Sequence, residues 1–226
     1  PCRSWSPARN PDNNRWNSQV GLVSATGNDD PINLTQSGYG NYRPKFGMDG
    51  KAIYWMSDKQ GYRSHGSWGS QSDVYALFLT VDAYKQFTLS KADYDFWKEQ
   101  QEEKNKGDEE DDDDKKKKKD KDEEEKKNAE PLEVDWEGLQ DRKVKLTIFS
   151  SFLADALLDE KGENLYYLAN TGDGYNLWKT QFKDKETKIF VSLDGGGSAL
   201  QFGKKKETIF MNSGGSLKKV TRSEER

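Results

Sequence analysis

The run Y-R-P-K-F-G-M-D-G-K-A-I-Y-W-M-S-D-K, Tyr42 to Lys59, sets how the rest of the chain is read. A short strand ends in Met48-Asp49-Gly50, and an aromatic-rich strand, Ala52 to Met56, returns from it. Asp-Gly between two such runs is a strong hairpin signal, because glycine takes the positive φ a tight turn needs. A polar Gly/Ser loop follows, and then a third apolar strand, Asp73 to Leu79. Across the turn, Phe46 stands seven residues before Ile53.

That spacing recurs. Leu158 precedes Leu165 by seven across a turn at Gly162, and Phe202 precedes Ile209 by seven across G-K-K-K-E. The Leu158 unit, opening at Asp155, continues with strands at Tyr175–Gln181 and Thr187–Leu193, and the last unit with Ser216–Thr221. A first unit, with Trp5-Ser6-Pro7, a strand from Gln19 to Ser24 and an edge strand from Pro31 to Thr35, reads as incomplete, lacking the Asp-Gly turn and return strand. Units of roughly 40 to 50 residues with four antiparallel strands are the pattern of propeller blades. A sandwich of similar hairpins is the competing arrangement, and the repeated register favours the propeller. The expected fold is therefore all-β, with about three to four blades in a ring that is incomplete.

Between the second and third units the pattern changes. Ser90 with Asp93 three residues on marks a helix start, with Tyr94 and Trp97 on one face. From Lys98 to Glu130 the chain holds eleven Lys and sixteen Asp or Glu, a net of −5 against −4 for all 226 residues. With no apolar face to bury, such a tract does not offset the entropy of ordering. The expectation is one short helix and a disordered charged insert at 98–130, flanked by blades over 1–97 and 131–226. Outside the tract the charge is near +1, which gives no basic face for nucleic acid. No run approaches the roughly 18 apolar residues of a membrane span. Cys2 is the only cysteine, so neither a disulfide framework nor a zinc cluster is expected. The opening P-C-R-S-W-S-P, without Met or an apolar leader, reads as the start of a piece of something longer.

Chemistry is sparse. No phosphate loop, G-x-S-x-G elbow or His-Glu-x-x-His helix occurs, so no cofactor, metal or catalytic residue is assigned. His65 is the only histidine; serines beside it in one loop make a poor triad, since the roles need groups converging from separate elements. Arg63, His65 and Trp68 in R-S-H-G-S-W-G-S are instead candidates for contact with a partner domain or a peptide. Tyr54, Trp55, Tyr166, Tyr167 and Trp178 read as packing between blades. Asp49, Asp58, Asp73, Asp155 and Asp159 at strand ends read as turn caps. The blade first strands carry Lys45, Leu157 and Gln201, poor material for a propeller hydrolase or lyase with its site on the axis.

The run from Arg43 to Ala76, with its R-S-H-G-S-W-G-S loop, resembles the propeller region of tricorn-like serine peptidases, particularly bacterial ones. So do W-E-G-L-Q-D-R-K-V-K-L-T, Trp136 to Thr147, and L-Y-Y-L-A-N-T-G-D-G-Y-N-L-W, Leu165 to Trp178. The blade motifs are shared with TolB-like and WD-like propellers. The resemblance implies a non-catalytic segment that scaffolds and guides peptide substrates toward a catalytic domain absent from this chain. It also implies catalytic and PDZ domains of the same parent as partners, proteolysis as the parent's activity, and a periplasmic setting. The alternative is a stand-alone TolB-like propeller mediating protein–protein interaction. Unpaired blade edges in an open arc also favour a homo-oligomer.

Overall fold

The β4–β5 hairpin forms as the residues dictate. Strand β4 (Asn41–Gly47) pairs antiparallel with β5 (Ala52–Ser57), and Phe46 stands opposite Ile53. The turn between them is a 3-10 turn in which Met48, Asp49 and Gly50 all have positive φ, at 52°, 51° and 92°. Every residue of β5 is buried, because neighbouring sheets cover both of its faces. The computed structural model that carries these features describes residues 3–8, 18–23, 30–63, 70–109, 132–172, 174–193 and 195–222, with backbone alone for 3–8 and 104–109.

Four antiparallel sheets follow one another along the described residues. Blade one is β1 (Arg3–Ala8), β2 (Gln19–Val23) and β3 (Ile32–Asn33). Blade two is β4, β5, β6 (Asp73–Phe78) and β7 (Lys143–Lys145). Blade three is β8 (Phe152–Leu158), β9 (Asn164–Asn170), β10 (Tyr175–Gln181) and β11 (Glu186–Ser192). Blade four is β12 (Gly197–Phe202), β13 (Thr208–Ser213) and β14 (Ser216–Thr221). The seven-residue register holds in the other two hairpins, Leu158 facing Leu165 and Phe202 facing Ile209. First strands pack in succession, β1 on β4, β4 on β8 and β8 on β12, so the blades form an arc around one axis. The fold is all-β in its sheets and open as a ring.

Three expectations need correction. Blades one and four have three strands among the described residues, and the first unit, read as lacking a return strand, does have one: β1 pairs antiparallel with β2. Two helices are present instead of one short one, α1 (Val81–Thr88) and α2 (Lys91–Glu109). Thr80 caps α1, its hydroxyl accepting from the Ala83 amide at 3.2 Å, and Ser90 caps α2, accepting from the Asp93 amide at 3.3 Å. Lastly, α2 continues to Glu109, well past Lys98, because Glu, Gln and Lys keep good helix propensity even without an apolar face. The rest of the charged tract, 110–130, lies outside the described residues.

Alternation along each central strand sends successive residues to opposite neighbours. Ile53 and Trp55 face blade one, packing with Val20, Leu22 and Leu34. Tyr54 and Met56 face blade three, packing with Ala156, Leu158 and Tyr167. Tyr166 and Leu168 face blade four and its Leu200, Ile209 and Met211. The aromatics are thus inter-blade core. On β13 only Ile209, Met211 and Ser213 are buried while Asn212 is exposed, so blade four is one-faced where blades two and three are covered on both sides. Gly162, at φ +69°, lets the β8–β9 turn abut Met48: a Cβ there would sit 2.7 Å from the Met48 sulfur.

This burial predicts an alkaline limit. Burial raises the Tyr42, Tyr54, Tyr94 and Tyr167 phenols above 10.0, and takes Tyr75, beside Asp73, to about 12. The stabilisation from keeping them neutral is complete below 10.0, where the unfolded phenols titrate, and is lost as pH climbs through the folded values. Phenolate absorbance followed against pH is expected to show these tyrosines ionising together with loss of folded circular dichroism. Ionisation near the ordinary value with the fold intact would contradict the packing.

Candidate functional site

The innermost strands share an irregularity. In β4 the register shifts between Tyr42 and Lys45, in β8 between Leu153 and Asp155, in β12 between Ser198 and Leu200, and in β1 between Trp5 and Ala8. Each shift is a bulge that turns the following side chain toward the other face. Proline has no amide hydrogen for a ladder, and Pro7 and Pro44 both fall in these bulges. Arg43 and Ala199 reach positive φ, 55° and 50°, within them.

Lys45, Asp155 and Leu200, each directly after a bulge, meet at the axis. Lys45 Nζ donates to Asp155 Oδ1 at 2.7 Å, to the Ala156 carbonyl at 3.0 Å and to the Leu200 carbonyl at 3.4 Å. Asp155 also accepts from the Ala156 amide at 2.9 Å and, through Oδ2, from the Leu200 amide at 2.6 Å. Burial lowers the Lys45 ammonium below its ordinary value, opposed by the Asp155 carboxylate. All three ammonium protons have acceptors. The cluster ties blades two, three and four together and leaves no free base or nucleophile in this pair. Arg43, half exposed, sits 4.0 Å from Asp155 Oδ2.

Of the sequence candidates, Arg63 is placed and partnered. Its Nη2 donates to Asp58 Oδ1 at 2.9 Å, and its guanidinium lies 5.1 Å from the Tyr39 ring centre. Asp58 Oδ1 also accepts from the Gly40 amide at 2.9 Å. His65 and Trp68 lie outside the described residues. Gly61 closes the base of their loop, where a Cβ would fall 1.7 Å from the Gln71 carbonyl oxygen. Asp159 acts as a turn cap, accepting from the Glu163 amide at 2.8 Å. Asp49 and Asp73 differ: Asp49 pairs with Lys206 at 2.6 Å, and Asp73 takes the Thr147 and Ser150 hydroxyls and Lys145. Among the described residues no group of three or more His, Cys, Asp or Glu is placed to hold a metal ion, and no helix is long and apolar enough to cross a membrane.

Sequence reasoning missed the anchoring of the helices. Lys183, in the β10–β11 turn, donates to the Gln86, Phe87 and Leu89 carbonyls at 2.9–3.0 Å and lies 4.4 Å from the Tyr94 ring centre. That cation holds the C-terminal end of α1 to blade three, where it also complements the helix dipole. Buried Arg142 holds the neck, donating to the Phe78, Leu79, Glu137 and Asp135 carbonyls. Between the Met48–Lys51 turn, the helices and residues 132–135 lies a cleft of about 950 Å³.

No family model and no curated protein matches the sequence. Two solved structures superpose on nearly all of it. The crystal structure of the tricorn protease aligns over 98% of this chain and 20% of that one, with a TM-score of 0.58 and 10% identity. TolB from Acinetobacter baumannii aligns over 99% of this chain and 39% of that one, with a TM-score of 0.52 and 10% identity. The fold is that of a tricorn- and TolB-like propeller. The chain spans about a fifth of the tricorn protease and about two fifths of TolB. At 10% identity this propeller shares architecture with both and no assigned residue roles.

Proposed function

We propose that this propeller is a non-catalytic segment of a tricorn-like serine peptidase, a scaffold that guides peptides toward a catalytic domain elsewhere in its parent. The observation that carries the reading is the extent of the likeness: four blades in sequence align with a fifth of a protease chain. In a parent built alike, the reaction belongs to the part outside these blades, with PDZ and catalytic domains as partners and the periplasm as its setting. The polar cluster at the axis agrees, since its donors and acceptors hold blades together. A docking face for a neighbouring domain is also at hand. The loop after β5 and the connection from β7 to β8 lie side by side, joined by the Ser72–Ser151 bridge. The loop exposes Tyr62, and the connection with the first residue of β8 exposes Ile148, Phe149 and Phe152; exposed apolar surface of this kind marks interaction sites where it is contiguous. The likeness to TolB favours a second reading, a stand-alone propeller that binds a protein partner.

Peptide assays on the purified chain separate these. Saturable binding of fluorogenic peptides with no product is expected, and no product from His65→Ala either. Product formation that disappears in His65→Ala would sink the first reading. Failure to bind any peptide, with tight capture of one folded protein, would favour the second.

A further inference from the structure

The cleft beside the helices is built before any ligand arrives. One wall is the Met48–Lys51 turn, fixed by its three positive-φ residues and by the Leu79 amide donating to the Lys51 carbonyl at 2.8 Å. The opposite wall is α1, whose end Lys183 pins, with Trp97 of α2 stacked on Tyr94 at 5.6 Å. The run 132–135 forms a third side, tied by the Asp135 amide to the Leu79 carbonyl at 2.9 Å. Preformed walls lower the ordering cost of binding.

The lining is two-natured. Phe46, Leu89, Trp97 and Leu132 give it apolar and aromatic surface. Four carboxylates line it against two lysines, Lys51 and Lys85. Asp49 is neutralised by Lys206 and Asp135 accepts from the Val81 amide at 2.8 Å, but Asp82 and Glu133 have no ion pair among the described residues. In sequence, the 98–130 tract of net −5 begins within α2 and ends two residues before Leu132, on the cleft's lip. Negative charge around a low-dielectric wall attracts cations and raises their local concentration.

We infer that this cleft binds an extended peptide in which apolar side chains alternate with basic ones. The apolar groups would lie on Phe46, Leu89 and Trp97 while the basic groups reach Asp82 and Glu133. This rests on the peptide-guiding reading and gives it a place and a preference.

The test is fluorescence anisotropy of the full chain with end-blocked, labelled Leu-Arg-Leu-Arg and Leu-Glu-Leu-Glu. The basic probe is expected to bind at least about tenfold more tightly, and added salt to narrow the gap. Asp82→Lys with Glu133→Lys is expected to weaken the basic probe by about tenfold or more in a chain that circular dichroism shows still folded, while Glu186→Lys on β11 has no effect. Equal binding of both probes, or binding indifferent to the two reversals, would overturn the assignment to this cleft while leaving peptide guidance standing. If neither probe binds, and neutral peptides fail as well, the peptide-guiding reading falls with it. A variant with a Gly-Ser linker in place of residues 110–131 covers the remaining occupant. Retained basic preference supports the inference; binding strengthened more than about tenfold would show the chain's own tract competing for the cleft and would overturn it.

Discussion

Replacing Asp155 by alanine is expected to cost about 3 kcal/mol of folding stability, since removing one partner of a buried, hydrogen-bonded ion pair leaves the other uncompensated. The carboxylate side chain is 4% exposed and Lys45 is 29% exposed, which puts the effect at the low end of that class. Two losses combine. Lys45 keeps its carbonyl partners but loses its counter-charge, and the Ala156 and Leu200 amides lose an acceptor inside the arc. The pH dependence separates them. Lys45 in the folded chain titrates below the ordinary 10.5, so between its folded value and 10.5 the unfolded state binds more protons and stability rises with pH. Without Asp155 that window widens downward. Urea melts of Asp155→Ala and the parent chain at rising pH, kept below the range where tyrosines ionise, are therefore expected to show a narrowing gap. A constant gap would assign the loss to the Ala156 and Leu200 amides alone.

Arg142→Met is expected to destabilise by about 2–4 kcal/mol, because it keeps the apolar stem but strips buried carbonyls of their donor. Arg142 Nε donates to the Phe78 carbonyl at 3.0 Å and Nη1 to that of Glu137 at 2.9 Å, while Nη2 reaches the Leu79 and Asp135 carbonyls. These groups lie on the two ends of the insertion, so one guanidinium closes the neck where the chain leaves blade two and rejoins it at β7. Arg142→Lys is expected to recover only part of the loss, since a single ammonium does not reproduce the planar fork. Hydrogen exchange should locate the damage: faster exchange in Val81–Thr88 and Lys143–Lys145, with β8 to β10 unchanged. Uniform acceleration through blade three would contradict a role confined to the neck.

Much of the architecture was legible because it is local. The Phe46–Ile53, Leu158–Leu165 and Phe202–Ile209 pairs follow from turn length, and the Ser90 cap from residues three apart. The two-sided burial of β5 shows in its unbroken apolar run, Ala52 to Met56. Helix α1 escaped notice because eight residues give little periodicity, and its register is held by Lys183 from another blade. The axial cluster was illegible for a related reason. Lys45 and Asp155 are 110 residues apart, and only the bulges aim them at each other. Pro44 inside a strand was the available signal, since proline there marks an edge or a bulge. No such mark accompanies Ala154 or Ala199. Arg142 and Lys183 bond to backbone carbonyls, which every residue has, so no acidic partner in the sequence points to them.

The central claim is that successive first strands converge on one axis and are bonded there across blades. The most direct test is a double-mutant cycle of Lys45→Met and Asp155→Leu, read by equilibrium urea unfolding. A favourable coupling of about 2 kcal/mol is expected, well outside the few tenths found for independent sites. Single substitutions that add to within about 0.5 kcal/mol would mean the two strands do not meet at the axis, and the arc described here would be wrong.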